Sequence, residues 1–134
     1  MFEIELGLVQ PTVLLVEDEV SIRLLIADEL RSEGIDVLEA SNADEALTIL
    51  DSSLPVHVLF TDIRMPGRID GVGLTKLARN RRPEIKVIIA SSHQPPGYAR
   101  DAADVFICKP YDLGAMAQQV EKLLAQSGHA VEGH

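Results

Sequence analysis

Glu17, Asp18 and Glu19 stand together directly after the apolar run Thr12–Val16. That layout recurs: later β-branched and aliphatic runs end in Thr61-Asp62, in Ser91-Ser92 and in Lys109-Pro110. Brought side by side, these ends would collect acids, hydroxyls and a lysine. Gathered carboxylates repel one another and raise each other's pKa. A hard divalent cation removes that penalty. Mg²⁺ suits the position best, because one or two carboxylates, waters and a phosphate oxygen make its usual shell. A carboxylate beside such an ion can act as a nucleophile toward a phosphoryl group and form an aspartyl phosphate. Positioning and charge neutralisation do most of the work in such a transfer. Lys109 is the candidate protein cation and Ser91 the candidate hydroxyl donor, with Ser92 as its adjacent rival.

The elements that must position these residues are strands whose carboxyl ends share an edge. The pattern predicts strands at Thr12–Val16, Ile35–Ala40, Val56–Thr61, Lys86–Ala90 and Asp104–Cys108. Between them run helical periods. Ser21–Glu33 carries Ile22, Ile26 and Leu30 and ends before Gly34. A second helix starts at Asn42, with Glu45 as its capping-box partner. A third, Val72–Asn80, is stopped by Pro83, and a final one is capped by Asp112 and striped by Leu113, Met116, Val120, Leu123 and Leu124. Strands alternating with helices predict an α/β fold with a parallel sheet wrapped on both faces, and such sheets bind ligands at the carboxyl ends of their strands. One segment breaks the rhythm. Ser91–Ala103 holds Pro95-Pro96-Gly97 and reads as a loop with at most a short helix over Tyr98–Ala103. Residues 11–126 read as the folded domain, 1–10 and 127–134 as flexible ends.

The chain has 134 residues, room for one compact domain and not for a separate DNA-binding or catalytic one. A net charge of −9 argues against unaided binding to nucleic acid or an anionic membrane, and suits a basic protein partner or a site that holds a cation. Cys108 is the single cysteine, so no internal disulfide is expected. It reads as a small buried strand residue in a reducing, cytoplasmic setting. No cationic signal start and no membrane-length apolar run is present. His93 reads as a surface loop histidine, and Arg79, Arg81 and Arg82 as a solvated helix end.

Four stretches carry a family resemblance: Val13-Leu14-Leu15-Val16-Glu17-Asp18-Glu19, Leu59-Phe60-Thr61-Asp62-Ile63-Arg64-Met65-Pro66-Gly67, Val87-Ile88-Ile89-Ala90-Ser91-Ser92 and Phe106-Ile107-Cys108-Lys109-Pro110-Tyr111. In this order, from Thr12 to about Gln126, the chain resembles receiver domains of two-component response regulators. The resemblance implies the flavodoxin-like fold, a doubly wound five-stranded parallel sheet in the order 2-1-3-4-5. It implies that Asp62 is the phosphoacceptor, that Asp18 and Asp62 bind Mg²⁺ directly with Glu17 acting through water, and that the main-chain carbonyl of Arg64 completes the protein ligands. It makes Ser91 the switch hydroxyl and Phe106 the aromatic residue that swings with activation. Lys109 pairs with a phosphoryl oxygen, and its bond to Pro110 is expected to be cis.

Three places depart from the commonest family pattern. The loop Pro66-Gly67-Arg68-Ile69-Asp70-Gly71 is slightly long. Arg64 stands where side chains influence phosphate lifetime. The crossover after Ser91 is short, so the fourth helix is expected to be reduced or absent, as in alphaproteobacterial single-domain regulators with a degenerate fourth helix. The implied function is a single-domain response regulator. It would accept a phosphoryl group from a histidine kinase or histidine phosphotransfer protein and signal to a protein target. The alternative is a phosphate sink or relay intermediate without an output partner. Neither is an enzyme beyond Mg²⁺-dependent self-phosphorylation and autodephosphorylation. A haloacid-dehalogenase-like hydrolase would need a second aspartate where Arg64 stands. Alone, the Glu17–Glu19 acids could simply cap the next helix, and Phe106 could simply be partly buried core.

Overall fold

The computed structural model describes residues 10–92, 94 and 97–128. Five strands, β1 (Thr12–Val16), β2 (Asp36–Ala40), β3 (Val58–Asp62), β4 (Lys86–Ser91) and β5 (Val105–Cys108), form one parallel sheet in the order β2-β1-β3-β4-β5. The helices are α1 (Val20–Ser32), α2 (Ala43–Leu50), α3 (Gly71–Arg81), α4 (Gly97–Arg100) and α5 (Leu113–Gln126). Among the described residues no helix is long and apolar enough to cross a membrane.

The continuous apolar runs of the central strands follow from burial on both faces. In β1, Val13 and Leu15 join a cluster with Ile26 and Leu30 of α1 and Met116, Val120 and Leu124 of α5. Leu14 and Val16 point the other way, into a cluster with Ala46 and Leu50 of α2 and Val72, Leu74 and Ala78 of α3. The period of two in a strand makes this division automatic once both faces carry helices. Register then aligns the strand ends: Val16 lies opposite Thr61, and Asp62 opposite Ala90.

Local chemistry sets the helix starts. Asn42 Oδ1 accepts from the Glu45 N–H at 2.9 Å, while Glu45 reaches back to the N–H and hydroxyl of Ser41, one residue before the N-cap Asn42. Asp112 caps α5 through the Ala115 N–H. Asp70 caps α3 through the Gly73 N–H, which starts that helix at Gly71 and not at Val72.

The expected reduced fourth helix is present as the four residues Gly97–Arg100, with Ala99 fully buried in the second cluster. Asp104, read as the first residue of β5, lies just before it. Its carboxylate accepts from the Val87 N–H at 2.8 Å and pairs with Arg79 at 3.1 Å. The arginine run is a solvated helix end only at Arg81, which is exposed. Arg79 donates to the carbonyls of Ile85 and Ala102, and Arg82 to those of Leu50 and Ser52, so the two fasten the end of α3 to the end of α2 and to neighbouring loops. Cys108 is exposed, not buried. β5 is an edge strand, with Val105, Phe106 and Ile107 half-buried and only its last residue exposed. Ser127 still caps α5 with main-chain bonds to Leu123 and Leu124, and Gln10 donates to the Gly34 carbonyl. Residues 1–9 and 129–134 of the expected flexible ends, and His93, lie outside the described residues.

Candidate functional site

Asp62 is the last residue of β3 and is 9 % exposed. Its main chain is held tightly. The Thr61 hydroxyl donates to the Asp62 carbonyl at 2.9 Å, the Ile63 N–H to Ala90, and the Gly71 N–H to the Ile63 carbonyl at 2.6 Å. A Cβ on Gly71 would overlap the Asp62 carbonyl oxygen, so only glycine lets the start of α3 approach so closely. The sequence offered this glycine merely as a loop residue.

The turn after β1 supplies the other acids. Glu17 is 3 % exposed, and its Oε2 accepts from the Glu19 N–H at 3.2 Å. The capping alternative does not describe these acids. Glu19 holds the N-cap position of α1 without a side-chain cap bond, and no acid lies in the first turn. Glu17, Asp18 and Asp62 each offer a carboxylate oxygen, and these oxygens lie within 4.8 Å of one another. Lys109 enters from the end of β5. Its Nζ is 2.7 Å from Asp62 Oδ1 and 3.6 Å from Glu17 Oε1. The Lys109–Pro110 bond is cis, as expected, and the Lys109 N–H donates to the Ser91 carbonyl.

Three carboxylates against one ammonium leave the cluster net negative. Burial, then the hydrogen bond and charge of Asp62, push the Glu17 carboxyl up to about 7. Burial alone would lower Lys109, but Asp62 and Glu17 outweigh it and hold the ammonium above its ordinary range. Tyr111, packed on Phe60 at 6.4 Å between ring centres, is pushed up by burial and then by the same two acids. An all-oxygen donor set carrying excess negative charge matches a hard divalent cation. Next to it, a cavity of about 100 Å³ is lined by Asp62, Ile63, Arg64, Ala90, Ser91, Ser92 and Lys109. Ser91 and Ser92 both border it. Arg64 borders it as well. Phe106 does not. It lies in β5, half-buried against the second apolar cluster.

A family model for the response regulator receiver domain matches residues 13–121. The chain belongs to that family. Over 118 residues it is 36% identical to the sensor kinase CckA of Brucella abortus, covering 84% of this chain and 12% of that protein. Over 85 residues it is 45% identical to a putative NtrX-like response regulator of Rickettsia felis, covering 63% and 18%. The chain spans 12 to 24% of the length of such curated relatives. Among solved structures, a CheY-like receiver domain protein of Methanospirillum hungatei matches at a TM-score of 0.83 and 23% identity, covering 90% of this chain and 98% of that one, which supports the fold. The response regulator TrrA of Thermotoga maritima, solved with Mg²⁺-BeF, matches at 0.78 and 30% identity, covering 86% and 100%. The receiver fold expected from the four matching stretches, with its strand order, is therefore the fold of this chain.

Proposed function

We propose that this receiver domain is a signalling switch that accepts a phosphoryl group on Asp62. The observation that carries the reading is the Lys109 ammonium 2.7 Å from Asp62 Oδ1, at the mouth of a cavity small enough to suit a phosphoryl group. An Asp62 oxygen attacks phosphorus, the O–P bond forms, and the P–N bond of a phosphohistidine donor breaks with its electron pair leaving on the imidazole nitrogen. Lys109 then pairs with a phosphoryl oxygen, and the Ser91 hydroxyl donates to another. Asp18, Asp62 and the Arg64 main-chain carbonyl, supported by Glu17, would hold Mg²⁺, which would supply charge neutralisation. Phe106 follows Ser91 as the population shifts between two states. Catalysis is confined to the domain's own phosphorylation and autodephosphorylation.

The donor is a histidine kinase or a histidine phosphotransfer protein in the cytoplasm. Val20 and Leu24 support a protein donor: one turn apart on α1, they are 57% and 46% exposed directly after the acidic turn. A net charge of −9 supports a protein target over nucleic acid. The four-residue α4 favours, as a second reading, a phosphate sink without an output partner. A pull-down with phosphorylated and unphosphorylated protein separates the two, since only a switch gains a partner. The test of the chemistry is incubation with acetyl phosphate and Mg²⁺ followed by intact mass. Wild type gains one phosphoryl group and Asp62→Asn none; equal labelling of that variant rules out Asp62 as the acceptor.

A further inference from the structure

The Glu17-Asp18 pair sits on the turn between β1 and α1, so its carboxylates converge on Asp62 only if the main chain there keeps its path. On one side, the Glu17 N–H donates to the Ala40 carbonyl of β2 at 3.0 Å. On the other, the Glu17 carbonyl accepts from Arg23 Nη1 at 2.8 Å. The same guanidinium is gripped by Glu39 of β2, with Nε 3.1 Å from Oε1. Glu39 is held in turn by Arg31, whose Nη2 lies 3.1 Å from Oε2 and donates to the Val37 carbonyl at 2.9 Å. The Arg23 side chain is 16% exposed and that of Glu39 24%, so this pair is largely screened from water, while Arg31 at 44% is its exposed outer end. α1 has no side-chain N-cap that would otherwise fix the turn.

We propose that Arg23, oriented by Glu39, is a positioning residue for the cation site: it clamps the Glu17 carbonyl and thereby sets the acid pair against Asp62. The inference rests on the phosphoryl-acceptor reading, through the cation that reading requires. A guanidinium suits the task because its planar fork presents two N–H groups to two acceptors at once, which a lysine ammonium on a flexible stem does not reproduce. Groups that orient metal ligands typically cost about 10–100-fold in metal affinity when removed. The sign separates this role from simple electrostatics. Arg23 is a cation near a cation site, so by Coulomb's law alone its removal tightens Mg²⁺ binding. A positioning role makes binding weaker.

The test is Mg²⁺ titration of the unphosphorylated full chain by calorimetry, for wild type, Arg23→Ala, Arg23→Lys and Glu39→Gln. The expected result is about tenfold weaker binding or more for Arg23→Ala. Arg23→Lys is also weakened although it keeps the charge, and Glu39→Gln is weakened to a smaller degree. A second readout is the rate of phosphorylation by acetyl phosphate across Mg²⁺ concentrations: the midpoint moves with affinity, and the plateau stays within about twofold of wild type. Should Arg23→Ala fail to fold, Arg23→Lys carries the test, because it keeps the charge and loses the fork. Mg²⁺ binding as tight as wild type or tighter in the folded arginine variants overturns the proposal, as does a fallen plateau with an unmoved midpoint. Wild type that binds no Mg²⁺ at all overturns the cation reading of the site, and this inference with it.

Discussion

Replacing Glu17 with Gln separates charge from shape at the most deeply buried acid of the site. The Glu17 carboxyl sits at about 7, against an ordinary value of 4.5, because burial and then Asp62 disfavour its ionised form. The folded state therefore holds this proton more tightly than the unfolded chain does. Stability is greatest below the unfolded value and falls as pH rises from there through about 7, where the folded protein is forced to ionise. The full gap corresponds to a ceiling of about 3 kcal/mol. In a domain of this size that moves the melting temperature by roughly 10 °C. Glu17→Gln keeps the acceptor for the Glu19 N–H and removes the titration, so it should match wild type at about pH 4.5 and exceed it by about 2–3 kcal/mol at about pH 8.5. The assay is urea unfolding of both proteins with chelator across that range. Taking the difference cancels the titrating groups that Glu17 does not touch and leaves its own ionisation with that of its neighbours Asp62 and Lys109. Mg²⁺ in excess should erase much of the gap in wild type, since binding to the folded state favours the ionised carboxylate. Parallel pH profiles for the two proteins would refute the argument, and with it the idea that uncompensated charge in the empty cluster is what a cation relieves.

Gly71→Ala should cost about 3 kcal/mol or more of unfolding free energy, read from the denaturant midpoint, because the new methyl overlaps the Asp62 carbonyl. Arg79→Ala should cost about 1–2 kcal/mol and speed hydrogen exchange over Gly97–Asp104, since it frees the Ile85 and Ala102 carbonyls together with Asp104. Lys109→Ala should still be phosphorylated but switch poorly. In backbone NMR with beryllofluoride, wild-type shifts should reach β4 and β5 while those of the variant stay near Asp62; identical maps would remove Lys109 as the tether. Exchange protection of Gly97–Ala103 should rise on phosphorylation by more than that of α3, and an unchanged segment would place the output surface elsewhere.

Most of the sheet was legible because β1, β3, β4 and β5 announce themselves as largely apolar runs; β2 is less plain, with Asp36 and Glu39 among its five residues. The site was legible for a related reason: Glu17, Asp18, Asp62 and Lys109 each stand at the last step of such a run, so a parallel sheet gathers them. What escaped is chemistry that depends on who lies opposite. Nothing in the local sequence says that Gly71 must touch the Asp62 carbonyl, or that Arg23 reaches back past Glu19 to the Glu17 main chain. The arginines at the end of α3 looked solvated because a charged helix end usually is; main-chain carbonyls of neighbouring elements capture Arg79 and Arg82 here, and Arg81 alone stays exposed. Cys108 looked buried because β5 reads like the central strands, and the period-two pattern cannot reveal that β5 lies at the edge of the sheet. Phe106 shows the same limit. Its half-buried place in β5 is visible, and any motion it makes is not a property of one arrangement.

An exposed Cys108 has a practical use. It is the only thiol in the sequence and lies one residue before Lys109. A maleimide dye or nitroxide attached there would place a single reporter beside the anion cradle with no substitution. The chain has no tryptophan to compete optically. Phosphorylation at Asp62 could then be followed in real time as a change in the probe's mobility or emission, and thiol-modification rates measured with and without beryllofluoride would give the opening and closing of the β5 edge as numbers.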